Sequence, residues 1–282
     1  MPICAEGTTI YVPGKIVLAG EYAVLDGAPS LVLAINRGVG CHVLPGSGIE
    51  TPTGDSRFVK PALEKLAAYH RYQFFDWNPV TEFGPQKPGF GGSAAACVAS
   101  CIAAGKNPND AFAIHHHVQG SGSGIDVAAS IHGGMLRYHN RKVQPVAPIS
   151  PLIVWSGMSA KTGPRVQQYL AWKDRAAFVK ETTAIVDHFR EDPIHAFSAL
   201  YCLLSDMARA AKIRYQTDTI QQIVALAKKN GGAAKPSGAG GGDCVVALFP
   251  DEASLLSFQQ ENPFPSIPAQ PCTIIQKQKE SS

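Results

Sequence analysis

Three segments of the sequence combine glycines with a charged or hydroxyl side chain, a combination that binds phosphate groups. They are residues 13–27 (PGKIVLAGEYAVLDG), 87–96 (KPGFGGSAAA) and 235–244 (KPSGAGGGDC). Glycine has no Cβ, so backbone N–H groups can turn toward a ligand and approach it closely. We therefore expect these segments to line a site for an anionic ligand.

The second segment has the composition of a phosphate-binding helix start. Glycines at 89, 91 and 92 precede Ser93 and a run of alanines that favours a helix. A helix N-terminus offers unpaired N–H donors and the positive end of its dipole to phosphate, and a serine there can reach Mg²⁺ held between phosphates. The segment fits neither the GxxxxGK[ST] pattern nor the dinucleotide-binding GxGxxG pattern. A helix that packs closely on a sheet through small residues explains the same sequence equally well.

The third segment places glycines at 238, 240, 241 and 242 directly before a strand-like run. Ordering such a flexible loop has a large entropic cost. Tight backbone contact with a ligand or with another loop would offset this cost. The alternative is a plain flexible hairpin. Asp243 and a strand follow the glycines directly, which makes the ligand or loop contact the favoured interpretation.

A fourth feature is the run HHHVQGSGSGIDVAAS at residues 115–130, in which Asp126 falls in the first turns of a helix. A carboxylate fixed beside a phosphate loop can accept or orient a hydroxyl proton. The alternative is that Asp126 only complements the helix dipole. The three consecutive histidines point in different directions on a helix, so they do not converge on one metal ion.

The elements that must position these residues mix strands and helices without a regular βαβ rhythm, which favours an α+β fold over a doubly wound sheet. The second half is almost entirely helical in pattern before the third segment. Predicted strands are residues 8–12, 15–20, 30–35, 135–138, 152–155, 244–249 and 272–276, and predicted helices are 58–72, 93–104, 108–118, one from about 123, several within 162–230, and 251–260.

Composition narrows the class of protein. The 282 residues are 45% hydrophobic and 17% charged, as in a globular protein. The formal net charge of +3 is small and dispersed, so neither nucleic acid nor a membrane surface is an expected partner. The seven cysteines form no CxxC pair. The N-terminal letters lack a signal-peptide pattern and no apolar run is long enough to span a membrane, so we expect a cytoplasmic protein.

Taken together and in this order, the three glycine segments resemble the signature motifs of the GHMP kinases, the superfamily of galactokinase, homoserine kinase, mevalonate kinase and phosphomevalonate kinase. The resemblance covers most of the chain. It implies a two-domain α+β fold: an N-terminal ribosomal-S5-like domain at residues 1–150, with the ATP-binding phosphate loop, and a C-terminal ferredoxin-like domain at 151–282. The active site would lie in the cleft between them, in a monomer or homodimer.

Within the superfamily the sequence is most similar to the phosphomevalonate kinases, in the runs PGKIVLAGEYAVLDG, QGSGSGIDVAASIHGG, VWSGMSAKT and KPSGAGGGDC. The resemblance implies transfer of the ATP γ-phosphate to a phosphorylated small molecule, (R)-5-phosphomevalonate, giving 5-diphosphomevalonate. A mevalonate kinase or another small-molecule kinase is the alternative. A third reading, an inactive ligand-binding member, is disfavoured because Lys15, Ser93 and Asp126 are all present.

The resemblance also implies residue roles. Lys15 would stabilise charge on the transferred phosphoryl group, and Asp126 would orient the acceptor or Lys15. A solvated surface charge is the alternative for Lys87, Lys161 and Arg165. The remaining roles are ATP-phosphate contacts by Gly89, Gly91, Gly92, Ser93 and Ala94, with Ser93 also at Mg²⁺, and substrate contacts by Lys87, Ser123, Lys161, Arg165, Gly238, Gly240 and Gly241.

Two departures from the family pattern bear on substrate choice. The phosphate loop reads GFGGSA where GLGSSA is usual, so Phe90 replaces leucine and Gly92 replaces the first serine. One hydroxyl contact to phosphate is lost while Ser93 is kept. The chain is also shorter than typical phosphomevalonate kinases, with a brief stretch between the first two motifs.

Overall fold

The computed structural model describes residues 2–77, 88–120 and 122–278 and contains two sheets. The first has the order β11-β1-β2-β4-β3, with β5 also paired to β2 and β6 paired to β5. All its pairings are antiparallel except β3 with β4. Its strands are β1 (Thr8–Ala19), β2 (Ser30–Leu44), β3 (Gly48–Glu50), β4 (Arg71–Asp76), β5 (Met135–His139), β6 (Lys142–Val146) and β11 (Ile275–Gln278).

The second sheet follows the order β10-β7-β9-β8 and is covered by helices from the second half of the chain. Together with the first sheet it gives the predicted α+β class. Its strands are β7 (Leu152–Trp155), β8 (Ala233–Pro236), β9 (Cys244–Leu248) and β10 (Ser266–Pro268), and the helices of this half are α5 (Thr162–Ala171), α6 (Arg175–His188), α7 (Pro193–Ala210), α8 (Asp218–Lys229) and α9 (Glu252–Glu261).

Strand β1 is continuous where the sequence predicts two strands separated by a turn at Pro13 and Gly14. Proline lacks a ladder N–H, and the pairing with β2 shifts register between these two residues. A Cβ on Gly14 would collide with the carbonyl oxygen of Phe90. The irregularity therefore lets the phosphate loop pack directly on β1, just before Lys15.

Two helices of the first half pack directly on the first sheet, Gly92–Ala103 and Ile125–His132, and the other two pack against these helices. The four helices are α1 (Lys60–Leu63), α2 (Gly92–Ala103), α3 (Asp110–Gln119) and α4 (Ile125–His132). In α2 every residue from Cys97 to Ala103 is buried, and most of them are alanine or cysteine. Such short side chains bring the helix close to β1 and β2, so its N-terminus reaches the middle of the sheet.

One apolar core joins the two sheets. Ile16 and Leu33 of the first sheet share a cluster with Ile153 and Val246 of the second and with Phe197 of α7. The chain passes from one sheet to the other between β6 and β7, near the predicted boundary at residue 150. Strand β11 then returns to pair with β1.

The predicted helix at 58–72 is wrong over most of its length. Only Lys60–Leu63 is α-helical; a 3₁₀ turn at Leu66–Ala68 follows, and β4 begins at Arg71. Residues 71–76 pair along β2 from Leu44 to Val39, and this long-range pairing overrides the local helical spacing. Within the described residues, no helix combines the length and apolar character that a membrane span requires.

Candidate active site

A cavity of about 1510 Å³ is lined by all three glycine segments and by the start of α4. Its walls come from β1, from the loop before α2, from the loop after β8 and from the chain following β7. The four features that the sequence singled out therefore meet in one place. The cavity volume is larger than that of a typical pocket for one small-molecule ligand.

At the centre of the cavity, Lys15 of β1 and Asp126 of α4 form an ion pair. Lys15 Nζ lies 3.5 Å from Asp126 Oδ1, and the two side chains are 9% and 32% exposed. Gly91 covers this pair: a Cβ there would lie 3.2 Å from Lys15 Cε and 3.5 Å from Asp126 Oδ2. The pair is thus sheltered on one side by backbone and open to the cavity on the other.

Two hydrogen bonds fix the geometry of the pair. The Lys15 N–H donates to the carbonyl of Phe90 at 2.8 Å, which ties β1 to the phosphate loop. The buried hydroxyl of Ser130 donates to the carbonyl of Pro13 at 2.8 Å, which ties α4 to the irregular part of β1. The carboxylate and the ammonium are therefore held by rigid elements.

The loop before α2 has the backbone that a phosphate site needs. Gly89 and Gly91 have φ of 79° and 73°, in the left-handed region that glycine accepts without strain. Phe90 between them is only 3% exposed and packs into the core shared by the two sheets. The buried phenyl ring anchors the loop, and Gly92 and Ser93 open α2 at the cavity wall.

Ser93 has a partner that the sequence did not reveal. Its Oγ lies 3.1 Å from Nε2 of His115 on α3, and the imidazole packs against Phe58 with ring centroids 5.2 Å apart. Burial lowers the pKa of His115, and the charge of Asp126 opposes this shift. A neutral imidazole here orients the serine hydroxyl without adding a positive charge.

The residues present fit a magnesium ion that is bound mainly through nucleotide phosphates. No group of three or more His, Cys, Asp or Glu side chains among the described residues is arranged as a metal site. Ser93 and Asp126 nevertheless both line the cavity. Mg²⁺ characteristically takes one or two protein oxygens and completes its shell with phosphates and water.

The glycine loop after β8 is bound to β1 and its extension by two hydrogen bonds. Ser237 Oγ accepts from the N–H of Val17 at 2.8 Å, and the hydroxyl of Tyr22 donates to the carbonyl of Ala239 at 2.7 Å. A Cβ on Gly240 would collide with the ring of Tyr215. The loop is therefore ordered by close packing.

Asp243 connects this loop to the phosphate loop. Its Oδ1 accepts from the N–H of Ala160 at 3.0 Å, and a Cβ on Gly89 would lie 2.5 Å from its Cγ. Burial raises the pKa of Asp243, while the Ala160 N–H and the charges of Lys15 and Arg165 oppose the rise. The carboxylate faces the same cavity as Lys15.

A buried ion pair lies beneath the loop. Lys235 of β8 is fully buried and donates to Glu21 Oε1 and, at 3.0 Å, to the carbonyl of Pro236. Tyr22, next to Glu21, has φ 60° and ψ −53°, and the Ala23 N–H donates across it to Glu21 O at 2.6 Å. This strained γ-turn aims Glu21 and Tyr22 at the same loop. Burial lowers the pKa of Lys235, and Glu21 opposes this.

The predicted site residues divide into two groups. Lys161 and Arg165 line a separate pocket of about 380 Å³ beside the cavity, and Ala94 is fully buried. The guanidinium of Arg165 donates to the carbonyls of Lys161, Arg214 and Gly241. Lys87 lies outside the described residues. The cavity is lined by Lys15, Gly89, Gly91, Gly92, Ser93, Ser123, Asp126 and Gly238, whereas Gly240 and Gly241 pack behind it.

Sequence reasoning missed four polar residues here: Glu21, His115, Arg141 and Lys235. For two of them the sequence held an indication of burial. Glu21 and Lys235 are charged residues within apolar runs, and these runs form a buried turn and a buried strand. Their mutual contact joins distant parts of the chain, which spacing alone does not reveal.

Comparison with known proteins agrees with this fold. The family described as "GHMP kinases C terminal" matches residues 194–263. Mevalonate kinase from Aeropyrum pernix is 26% identical, with 84% of this chain and 87% of that protein aligned. A Lin0012 protein from Listeria innocua has the same fold, with a TM-score of 0.81, 19% identity and coverage of 96% and 99%. Streptococcus pneumoniae phosphomevalonate kinase in complex with phosphomevalonate and AMPPNP has a TM-score of 0.72 and 19% identity, with coverage of 90% and 94%.

The fold, the ordered glycine motifs and the family match at residues 194–263 together support a small-molecule kinase of the GHMP superfamily.

Proposed function

We propose that this chain transfers the γ-phosphoryl group of ATP to an acid of the mevalonate pathway, with (R)-5-phosphomevalonate as the first acceptor to test. The observation that carries the proposal is the Lys15–Asp126 pair, 3.5 Å apart in the cavity and covered by Gly91 at the start of a phosphate-binding helix. Phosphoryl transfer is catalysed mainly by positioning and by stabilisation of charge, and this arrangement provides both.

The pairing partners along β2 give the order of the elements beside the cavity. Lys15 pairs with Ala34 in the middle of β2, Asp76 pairs with Val39 on one side, and Tyr138 pairs with Ser30 on the other. Phe74 and Asp76 of β4 line the cavity, as do Phe58, His115 and the start of α2. We place the nucleotide on the β4 side and the acceptor toward β5 and β6.

In this arrangement the γ-phosphate lies between the N-terminus of α2 and Lys15. The helix N–H groups and the Lys15 ammonium stabilise the negative charge on the transferred group. Ser93, held by His115, would bind Mg²⁺, which neutralises charge on the phosphate oxygens. Asp126 orients Lys15 and the attacking oxygen; it also receives a proton if that oxygen belongs to a hydroxyl.

Two observations bear on the acceptor: the sequences of the motifs, and the names of the relatives. The runs around Asp126 and Asp243 resemble phosphomevalonate kinases, and Asp243 contacts the phosphate loop at Gly89. The relative from A. pernix is a mevalonate kinase, which favours mevalonate as the second candidate. Both acceptors carry a carboxylate at one end and differ in the group that is phosphorylated.

Phosphorus NMR of the reaction mixture tests the assignment. The purified chain is incubated with Mg-ATP and either mevalonate or 5-phosphomevalonate. We expect the paired signals of a diphosphate ester from 5-phosphomevalonate. A phosphomonoester signal formed only from mevalonate would reassign the chain to the second candidate, and ATP left intact with both acids would contradict the proposal.

A further inference from the structure

The turn between β5 and β6 contains an arginine in an unfavourable conformation. Asn140 and Arg141 both have positive φ, 50° and 62°. A two-residue hairpin turn with this backbone favours Asn-Gly, because glycine adopts positive φ without strain. Arginine at the second position of this turn offers no such conformational advantage. A side chain kept in such a conformation is a candidate for a functional role.

The arginine lies at the acceptor end of the cavity. Arg141 lines the cavity together with Val24 and Leu25, which lie near the end of the first glycine segment. It is also close to Tyr138, whose burial-raised pKa the charge of Arg141 opposes. The Tyr138 hydroxyl donates at 2.6 Å to the carbonyl of Ser123, in the loop that leads into α4 and Asp126.

Arg141 is also the cation left available at this end. Among the described residues, the lysine and arginine side chains that line the cavity are Lys15 and Arg141. Lys15 is paired with Asp126, whereas Arg141 is exposed and forms no ion pair within the described part of the chain. A guanidinium presented in this way suits a planar anion that it can bind through two parallel hydrogen bonds.

We propose that Arg141 binds the carboxylate of the acceptor, at the end opposite to the group that is phosphorylated. The proposal rests on the proposed function, but it holds for either acceptor because both carry that carboxylate. With the reacting group at Lys15 and Asp126 and the carboxylate at Arg141, the acceptor is held at both ends. Arg141 is then a specificity residue that selects acids over neutral alcohols.

The test uses Arg141→Gly, with Lys142→Ala as the matched control. Glycine removes the guanidinium and relieves the strain, so we expect a melting temperature equal to or above that of the unaltered chain. Lys142 is the next residue, is exposed and does not line the cavity. We expect Arg141→Gly to raise the acceptor KM by about 10- to 100-fold, the loss of one charge-assisted pair, while the ATP KM stays within about twofold. Lys142→Ala should change neither.

An acceptor analogue whose carboxylate is replaced by a primary amide completes the test. With the amide, the unaltered chain should show the same rise in acceptor KM that Arg141→Gly shows with the acid. Replacing the acid by the amide should raise the acceptor KM of Arg141→Gly little further. An Arg141→Gly chain with an unchanged acceptor KM, or with a raised ATP KM instead, would overturn the assignment of Arg141 and leave the kinase proposal intact. Absence of turnover and of calorimetrically detected binding of either acid to the unaltered chain would overturn both.

Discussion

Lys15 and Asp126 are brought to 3.5 Å by a strand and a helix that share apolar core contacts and a hydrogen bond from a buried hydroxyl. Ser130, one turn after Asp126, donates to the carbonyl of Pro13, two residues before Lys15. The irregularity at Pro13 and Gly14, which interrupts the ladder of β1, also frees that carbonyl to accept this bond. The irregular part of the first segment thus accepts a hydrogen bond that links the strand of Lys15 to the helix of Asp126.

The size of the Asp126→Asn effect depends on the acceptor. If a hydroxyl is phosphorylated, Asp126 must receive its proton, and kcat should fall by about 100- to 10,000-fold. If the acceptor is a phosphate, which is already ionised near neutral pH, only orientation is lost and we expect a smaller fall. Initial rates with both acids measure this. Asp187→Asn, which breaks the exposed pair with Arg137, is the control and should leave kcat unchanged.

Gly89 should be intolerant of any side chain. Gly89→Ala places a Cβ 2.5 Å from Asp243 Cγ, in addition to the left-handed strain of about 1–3 kcal/mol. Gly157 has φ +82°, and a Cβ there would have no neighbouring atom within 4 Å, so Gly157→Ala incurs the strain alone. We expect Gly89→Ala to reduce kcat/KM by at least about tenfold more than Gly157→Ala does. Equal losses in the two variants would show that the contact with Asp243 does not matter.

The buried pair of Glu21 and Lys235 should be strongly coupled. Glu21→Gln or Lys235→Met alone leaves an uncompensated buried charge and should reduce the free energy of unfolding by about 3–5 kcal/mol. The double variant should lose much less than the sum. The exposed pair Lys229–Glu261, whose charged atoms are 2.7 Å apart, is the control and should show a coupling of about 0.2–1 kcal/mol. Urea unfolding of both sets of variants measures the couplings, and additive losses at Glu21 and Lys235 would argue against the pair.

Asp243 should make stability fall as pH rises from mildly acidic values. Burial raises its pKa in the folded chain, so the folded state retains a proton that the unfolded state has already released. Stability therefore decreases between the ordinary pKa of an aspartate and the higher folded value. Asp243→Asn removes this dependence and keeps the oxygen that accepts from Ala160. Melting temperatures should diverge in favour of the variant as pH rises through that interval. A constant difference across the interval would contradict a raised pKa.

The sequence predicted those parts of the fold that local pattern decides. Helix α2 follows from its glycine start and its alanine run, and β7 follows from four consecutive apolar residues. Strands β3, β4, β6, β8 and β10 were missed. β6 and β10 lie at sheet edges with few buried residues, so they have little periodicity to detect, and β4 is selected by pairing with β2.

For the candidate site, motif order predicted the residues that carry backbone geometry and central charge. Lys15, Gly91 and Asp126 meet as expected. The contacts that tune them could not be predicted, because each joins segments far apart in the chain. His115 was considered only as one of three histidines on a helix, and its contact with Ser93 depends on how α3 packs against α2.

The central claim is phosphoryl transfer at Lys15, and a coupled assay of ADP release tests it most directly. The unaltered chain and Lys15→Met are compared with Mg-ATP and 5-phosphomevalonate, mevalonate or no acceptor. We expect ADP release that depends on the acceptor, with kcat about 100- to 1,000-fold lower in Lys15→Met at an unchanged melting temperature. Equal rates in the two chains, or ADP release that ignores both acids, would contradict the account.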